Sequence, residues 1–201
     1  MLNKNKKPIC MLIGILFSLV ITGILVTGKK EMLQKDIASE VLRFHVLAHS
    51  DSAEDQALKL RVKDTILAFM KKELPEASNK SESEQWVVEN LARIENVARN
   101  VVRKEGYDYS VEANLQECKF PNKTYGDITF PAGTYDALRV EIGEAKGQNW
   151  WCVLYPNLCF TDAIHAIVPK EGKDDLEEVL NEEAYELVTS KTIFRIKWFF
   201  F

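Results

Sequence analysis

Residues 9 to 27 contain no charged side chain, and lysines flank the run: Lys4, Lys6 and Lys7 before it, Lys29 and Lys30 after it. A helix of this length reaches about 28 Å at about 1.5 Å per residue, close to the hydrocarbon thickness of a bilayer. The apolar core of a cleaved signal peptide is usually shorter, about 7 to 15 residues. The run therefore reads as a single-span anchor. The lysines in front of it place the N-terminus in the cytoplasm and the remainder outside, and the two behind it weaken that bias. Val26, Thr27 and Gly28 are small enough for a signal peptidase to cut there, so a released form is the alternative. Residues 1–30 are thus read as the anchor or signal segment and 31–201 as one extracytoplasmic domain.

The rest of the chain is globular in composition: of 201 residues, 46% are apolar and 28% charged, which excludes a disordered or low-complexity chain. A net charge of -4 leaves no basic field to hold phosphates, so nucleic acid is not an expected partner. With Cys10 in the membrane segment, Cys118, Cys152 and Cys159 remain, and one of the three has no mate. Cys152 and Cys159 flank Pro156, and a turn there brings them within disulfide reach; two buried thiols are the alternative.

Val41 to Ala48 alternate as a strand, with Leu42, Phe44, Val46 and Ala48 on one side and Arg43, His45, Leu47 and His49 on the other. The following "SDSAEDQ" carries helix-start chemistry at Asp51 with Glu54 and at Ser52 with Asp55, predicting a helix from Ser52 or Ala53. Leu58, Val62, Ile66, Phe69 and Met70 form its apolar stripe, and Pro75 limits it. A second helix is predicted from Ser81 and Glu84, with Val87, Leu91, Ile94, Val97 and Val101 inward and Gly106 at its end. A third is predicted from Asp174, with Leu176, Val179, Leu180, Ala184, Leu187 and Val188 inward.

Between Tyr107 and Phe160 the period changes to two, broken by "FPNKTYGD", "FPAG" and "AKGQN", the pattern of an antiparallel meander. Ile193 to Trp198 alternate again and predict a last strand at a sheet edge. The expected fold is α+β, an antiparallel sheet packed by about three helices behind the N-terminal segment.

Chemistry-bearing groups are sparse. His45 and His49 lie on a strand, where four positions span about 13 Å, too far to share one ion. They are read as exposed or hydrogen-bonded histidines at a strand end. Asp51, Glu54 and Asp55 are read as helix-start acids. Ser50, Ser52 and Ser110 lack the G-x-S-x-G elbow of a hydrolase. Gly143 and Gly147 match no phosphate loop and read as hairpin glycines.

Three stretches, "RFHVLAHSDSAEDQALKLRVKDTIL", "FPNKTYGDITFPAGTYDALRVEIGEAKGQNWWCVLYPNLCFTD" and "HAIVPKEG", resemble the stage II sporulation protein R family of endospore-forming bacteria. The resemblance implies a signalling protein made in the forespore and exported across its membrane. Its implied partner is a membrane-embedded sporulation aspartic protease in the mother cell, which then processes a pro-sigma factor. It implies a protein ligand rather than an enzyme, with no cofactor, metal or small-molecule substrate. Asparagine is common in the family where His49 stands and proline where Asn157 stands, and Cys118 is not a family feature, which leaves Cys152 and Cys159 as the implied pair. The competing class is a secreted hydrolase or metal-dependent enzyme, which would gather His45, His49 or His165 with carboxylates.

Two surfaces are expected to meet the partner. One is the strand with Trp150, Cys152 and Leu154 on one side and Trp151, Val153 and Tyr155 on the other, followed by Phe160. One side is core, and the other is either core as well or a surface that offers tryptophan and tyrosine anchors. The second is the turn with His49, Asp51 and Ser52 beside His45, where alanine at His49 and Asp51 is expected to reduce signalling without lowering the melting temperature.

Overall fold

A computed structural model describes residues 6–74, 79–160 and 168–189. The apolar run is part of one long helix, α1 (Lys6–Glu40). Among the described residues this is the helix long and apolar enough to cross a membrane, and it fits a signal or membrane anchor. Residues 11–32 of it are exposed, whereas Leu33 and Ile37 are buried in the folded part of the chain. The last turns of α1 are therefore core, and Lys29 forms an exposed ion pair with Glu183 at 2.9 Å.

The predicted strand is β1 (Leu42–Leu47), and all six of its residues are buried. It is followed by α2 (Ala53–Glu73), capped by Ser52, which accepts from the Asp55 amide at 3.1 Å. The predicted start is correct. Leu74, the residue before Pro75, is extended, as proline demands of its predecessor. The second helix, α3 (Lys80–Lys104), starts earlier than Ser81 and Glu84 imply. Asn79 Oδ1 accepts from the Glu82 amide at 3.0 Å, so the same cap-and-acid pattern sits two residues upstream. Gly106, at φ 87°, ends it as predicted, and the Tyr107 amide reaches back to the Val102 carbonyl at 3.1 Å.

The strands β2 (Val111–Phe120), β5 (Gly133–Ile142) and β6 (Asn149–Tyr155) join β1 in one sheet ordered β2-β5-β1-β6. The expected antiparallel meander is corrected to a mixed sheet, because β1 inserts between β5 and β6 and runs parallel to β5. The cause is the composition of β1: a strand buried on both faces must be central. A small hairpin, β3 (Lys123–Tyr125) and β4 (Ile128–Phe130), lies outside that sheet.

α2 and α3 cover one sheet face, packing Leu58, Val62, Ile66, Val87, Ile94 and Ala98 against Phe44, Val46, Leu138 and Val140. On the other face, Ile37 of α1 meets Phe120, Phe130, Tyr135 and Val153, together with Leu176, Ala184 and Val188. The predicted third helix is two helices, α4 (Lys170–Val179) and α5 (Glu182–Thr189). Leu180 is extended, and Asn181 Oδ1 accepts from the Ala184 amide at 2.9 Å, so a new cap interrupts the apolar stripe. Asp127, in the β3–β4 turn, fixes α4 in place by accepting from Lys173 Nζ at 2.5 Å and from the Val168 amide at 3.1 Å. The predicted strand from Ile193 to Trp198 lies outside the described residues.

Candidate functional site

Where β1 ends, the chain turns beneath the β5–β6 connection, and the polar residues of the turn hold the two loops together. His49 Nδ1 accepts from the Glu144 amide at 3.0 Å, and Asp51 Oδ1 accepts from the Gln148 amide at 2.6 Å. The Lys146 amide reaches the His49 carbonyl at 3.2 Å and the Gly147 amide the Ala48 carbonyl at 3.0 Å. Two glycines permit the approach: a Cβ on Gly147 would lie 2.1 Å from the Ser50 carbonyl oxygen, and one on Gly143, at φ +59°, 2.3 Å from His49 Nδ1. His49 also stacks on Tyr109 with ring centroids 4.2 Å apart. Ser50 Oγ donates to Asp55 Oδ2 at 2.5 Å. Burial raises the Asp55 carboxyl, but hydrogen bonds from Ser50 and Tyr109 outweigh it and hold the group below its ordinary range.

These contacts give His49 and Asp51 structural work. Alanine at Asp51 removes a charge-assisted bond to a backbone amide and is predicted to cost about 1.5 to 3 kcal/mol, and alanine at His49 about 1 kcal/mol. Thermal unfolding of the single variants measures both. The sequence-based expectation of an unchanged melting temperature gives way to a lowered one.

The aromatic strand β6 divides between the two faces. Trp150 packs edge-on against Phe44, centroids 5.6 Å apart, with Lys63 Nζ 5.0 Å from its ring centroid. That side belongs to the core under α2 and α3. Tyr155 joins the same core, not the side of Trp151 and Val153 as strict alternation predicts. A register shift between Leu42 and Arg43 pairs Leu42 with Tyr155 and Arg43 with Val153, so the alternation breaks at Leu154. A disulfide joins Cys152 to Cys159 with Cα atoms 5.6 Å apart, across the predicted turn at Pro156, and Cys118 is a buried free thiol. Closing so short a loop stabilises by about 2 to 3 kcal/mol on the chain-entropy account. Phe160 ends the 3-10 turn Leu158–Phe160, and its side chain lies outside the described residues.

Trp151, on the other face, is only half-buried. It stacks on His45 with centroids 4.8 Å apart and planes 13° apart, and it meets Phe120 at 4.6 Å. His45 is 2% exposed, and neither ring nitrogen has a hydrogen-bond partner. The reading of His45 as exposed or hydrogen-bonded is therefore corrected: it sits in the middle of a central strand and not at its end. Burial first, then the charges of Arg139 and Arg43, push its pKa down to about 3, so the imidazole is neutral.

Arg43 is the residue that sequence reasoning passed over. It is fully buried, and the rings of Phe120, Phe130, Tyr135 and Tyr125 surround its guanidinium at 4.3, 5.1, 5.1 and 5.9 Å. Nε donates to the Cys152 carbonyl at 3.0 Å and Nη2 to the Tyr125 hydroxyl at 3.0 Å. Burial lowers its pKa, opposed by the two tyrosines. Arg43 thus ties the disulfide-bearing strand to the β3–β4 hairpin through polar contacts and aromatic faces. Among the described residues no three His, Cys, Asp or Glu side chains gather as a metal site, and His165 lies outside them.

The arrangement is that of an α+β domain behind an apolar helix that fits a signal or membrane anchor, braced by a disulfide, in which His45, His49, Asp51 and Asp55 are absorbed in packing and loop closure while Trp150 and Trp151 stay partly exposed on opposite sheet faces. Comparison with known proteins identifies it further. The family described as stage II sporulation protein R matches residues 38–165. The stage II sporulation protein R of Bacillus subtilis (strain 168) is 32% identical over 195 residues, covering 94% of this chain and 86% of that protein. No solved structure matches. The chain belongs to the stage II sporulation protein R family.

Proposed function

We propose that this protein is an exported sporulation signal that activates a membrane-embedded aspartic protease and thereby triggers processing of a pro-sigma factor in the mother cell. It leaves the forespore through the segment 9–27 and acts with residues 31–201 in the space between the forespore and mother-cell membranes. It changes the partner's conformational balance by contact and breaks no bond itself. Membership of the stage II sporulation protein R family carries this reading. The apolar N-terminal helix supports export, and the partly exposed Trp151 supports recognition by contact.

The test is reconstitution. The full chain is added to membranes carrying the protease and its pro-sigma substrate, and appearance of the processed factor is followed. Processing is expected only when chain and protease are both present. Turnover by the chain without the protease, or equal processing without the chain, overturns the reading.

A further inference from the structure

The helix α1 runs from the apolar segment into the domain without a break. The uncharged run ends at Thr27, and Leu33 is already buried in the domain. At about 1.5 Å per residue the helix between them is about 9 Å long. The polar layer of a bilayer reaches about 5 to 8 Å beyond the hydrocarbon on each side. With residues 9–27 as the span, the domain therefore begins where the headgroups end. Residues 29–40 contain neither glycine nor proline, the usual causes of a kink.

The joint between α1 and the domain is firm. Leu33 and Ile37 are buried, and Gln34 Nε2 donates to the Thr134 carbonyl at 3.2 Å. The approach is close, since a Cβ on Gly133 would lie 2.1 Å from Gln34 Nε2. One turn further on, Lys80 Nζ donates to the Ala38 carbonyl at 2.9 Å and to Asp136 Oδ2 at 2.6 Å, tying α1 to α3 and β5.

These contacts also fix a direction. Residue 38 is linked to residue 136 and residue 34 to residue 134, so following α1 back toward the apolar segment leads down β5 to its first residue, Gly133. The helix leaves the domain at that end of the sheet, and the ion pair of Lys29 with Glu183 brings α5 to the same end. Met32, one residue short of the core, is 55% exposed, an apolar side chain at the level of the headgroups. The other end of the sheet, where β1 and β5 finish side by side at Leu47 and Glu141, carries the loops joined by His49 and Asp51. β5 is ten residues long, which separates the two ends by about 30 Å at about 3.3 Å per residue.

We propose that the end of the domain formed by α5 and the start of β5 rests on the headgroups of the membrane that α1 spans, with α1 as a strut that holds the His49 and Asp51 loops at the far end. The occupant is a lipid surface because the connection is too short to admit a protein layer. Charge does not select it, since Lys29 and Lys30 stand beside Glu182 and Glu183. The tether does, and neutral and anionic lipids should serve equally. The proposal rests on residues 9–27 crossing the bilayer and is independent of the signalling reading.

Quenching from the membrane surface tests it. The full chain carrying Cys10→Ser, in which Cys118 is buried, is reconstituted into phosphatidylcholine vesicles with and without phosphatidylglycerol. A fluorophore is attached at Glu183→Cys or Glu182→Cys on α5, or at Lys146→Cys in the far loop, all exposed positions, and melting temperatures are matched to the parent. With a nitroxide on the lipid headgroups, the α5 labels are expected to lose about half or more of their fluorescence and the loop label almost none, in both lipid mixtures. A helical insertion of about two turns after Lys30 lifts the domain by about 10 Å and should bring the α5 labels down to the loop level of quenching. Equal quenching of both ends, none at either, quenching of α5 only with phosphatidylglycerol, or no change on insertion overturns the proposal. None of these outcomes bears on whether the chain activates a protease.

Discussion

Alanine at Arg43 is expected to destabilise the domain by about 3 to 5 kcal/mol, a large share of the 5 to 15 kcal/mol typical of a folded domain. The side chain is fully buried and fills the space between four aromatic rings, so truncation leaves a cavity that aromatic walls close poorly. It also strips the Cys152 carbonyl and the Tyr125 hydroxyl of their donor, which adds a desolvation cost. Methionine separates these two losses. It keeps most of the length and the contact with the rings, and replacing a buried charge with an apolar side chain of similar volume is often close to neutral. Arg43→Met is therefore expected to lose less than half of what Arg43→Ala loses, as measured by urea unfolding. Equal losses would show that the guanidinium's hydrogen bonds and cation–π contacts outweigh its volume. In either case the hairpin β3–β4 should loosen first, because Tyr125 is its tie to β1.

Arg43 also shows where the sequence stops being informative. Local chemistry was legible: the Ser52 cap, the end of α3 at Gly106 and the reach between Cys152 and Cys159 all depend on residues a few positions apart. Alternation in β1 was legible too, but it says which residues share a side and not whether that side is covered. Arg43 and His45 alternate with apolar neighbours as solvent-facing residues would. What buries them is the hairpin, Phe120 and Trp151, more than 70 residues later in the chain. The insertion of β1 between β5 and β6 has the same origin, since strand order depends on partners distant in sequence. The shift of Tyr155 to the α2–α3 core follows from a one-residue irregularity in pairing, and nothing in "NWWCVLY" marks it. The division between α4 and α5 depends on a single asparagine whose cap beats an otherwise continuous stripe.

Acidification should weaken the domain well above the usual carboxylate range, and His45 is the cause. In the unfolded chain its imidazole takes a proton near pH 6.5, whereas in the folded chain burial and the charges of Arg139 and Arg43 hold its pKa near 3. The unfolded state binds the proton first. The penalty is thus absent above about pH 6.5 and grows as the pH falls, by up to about 1.4 kcal/mol per unit, until the folded pKa is reached. Between pH 6.5 and 4.5 this amounts to about 2 to 3 kcal/mol. Asp55 and Asp127, both held below their ordinary range, add losses only below about pH 4, where unfolded carboxylates protonate. The two windows are separable by substitution. His45→Leu places an apolar side chain between Phe120 and Trp151, removes no hydrogen bond, and is expected to leave stability at pH 7 unchanged or higher. Its urea midpoint should stay flat down to about pH 4.5, where that of the unmodified chain has already fallen. If both curves fall together between pH 6.5 and 4.5, the imidazole accepts its proton without leaving the fold. Trp151 would then be a cover that water can pass.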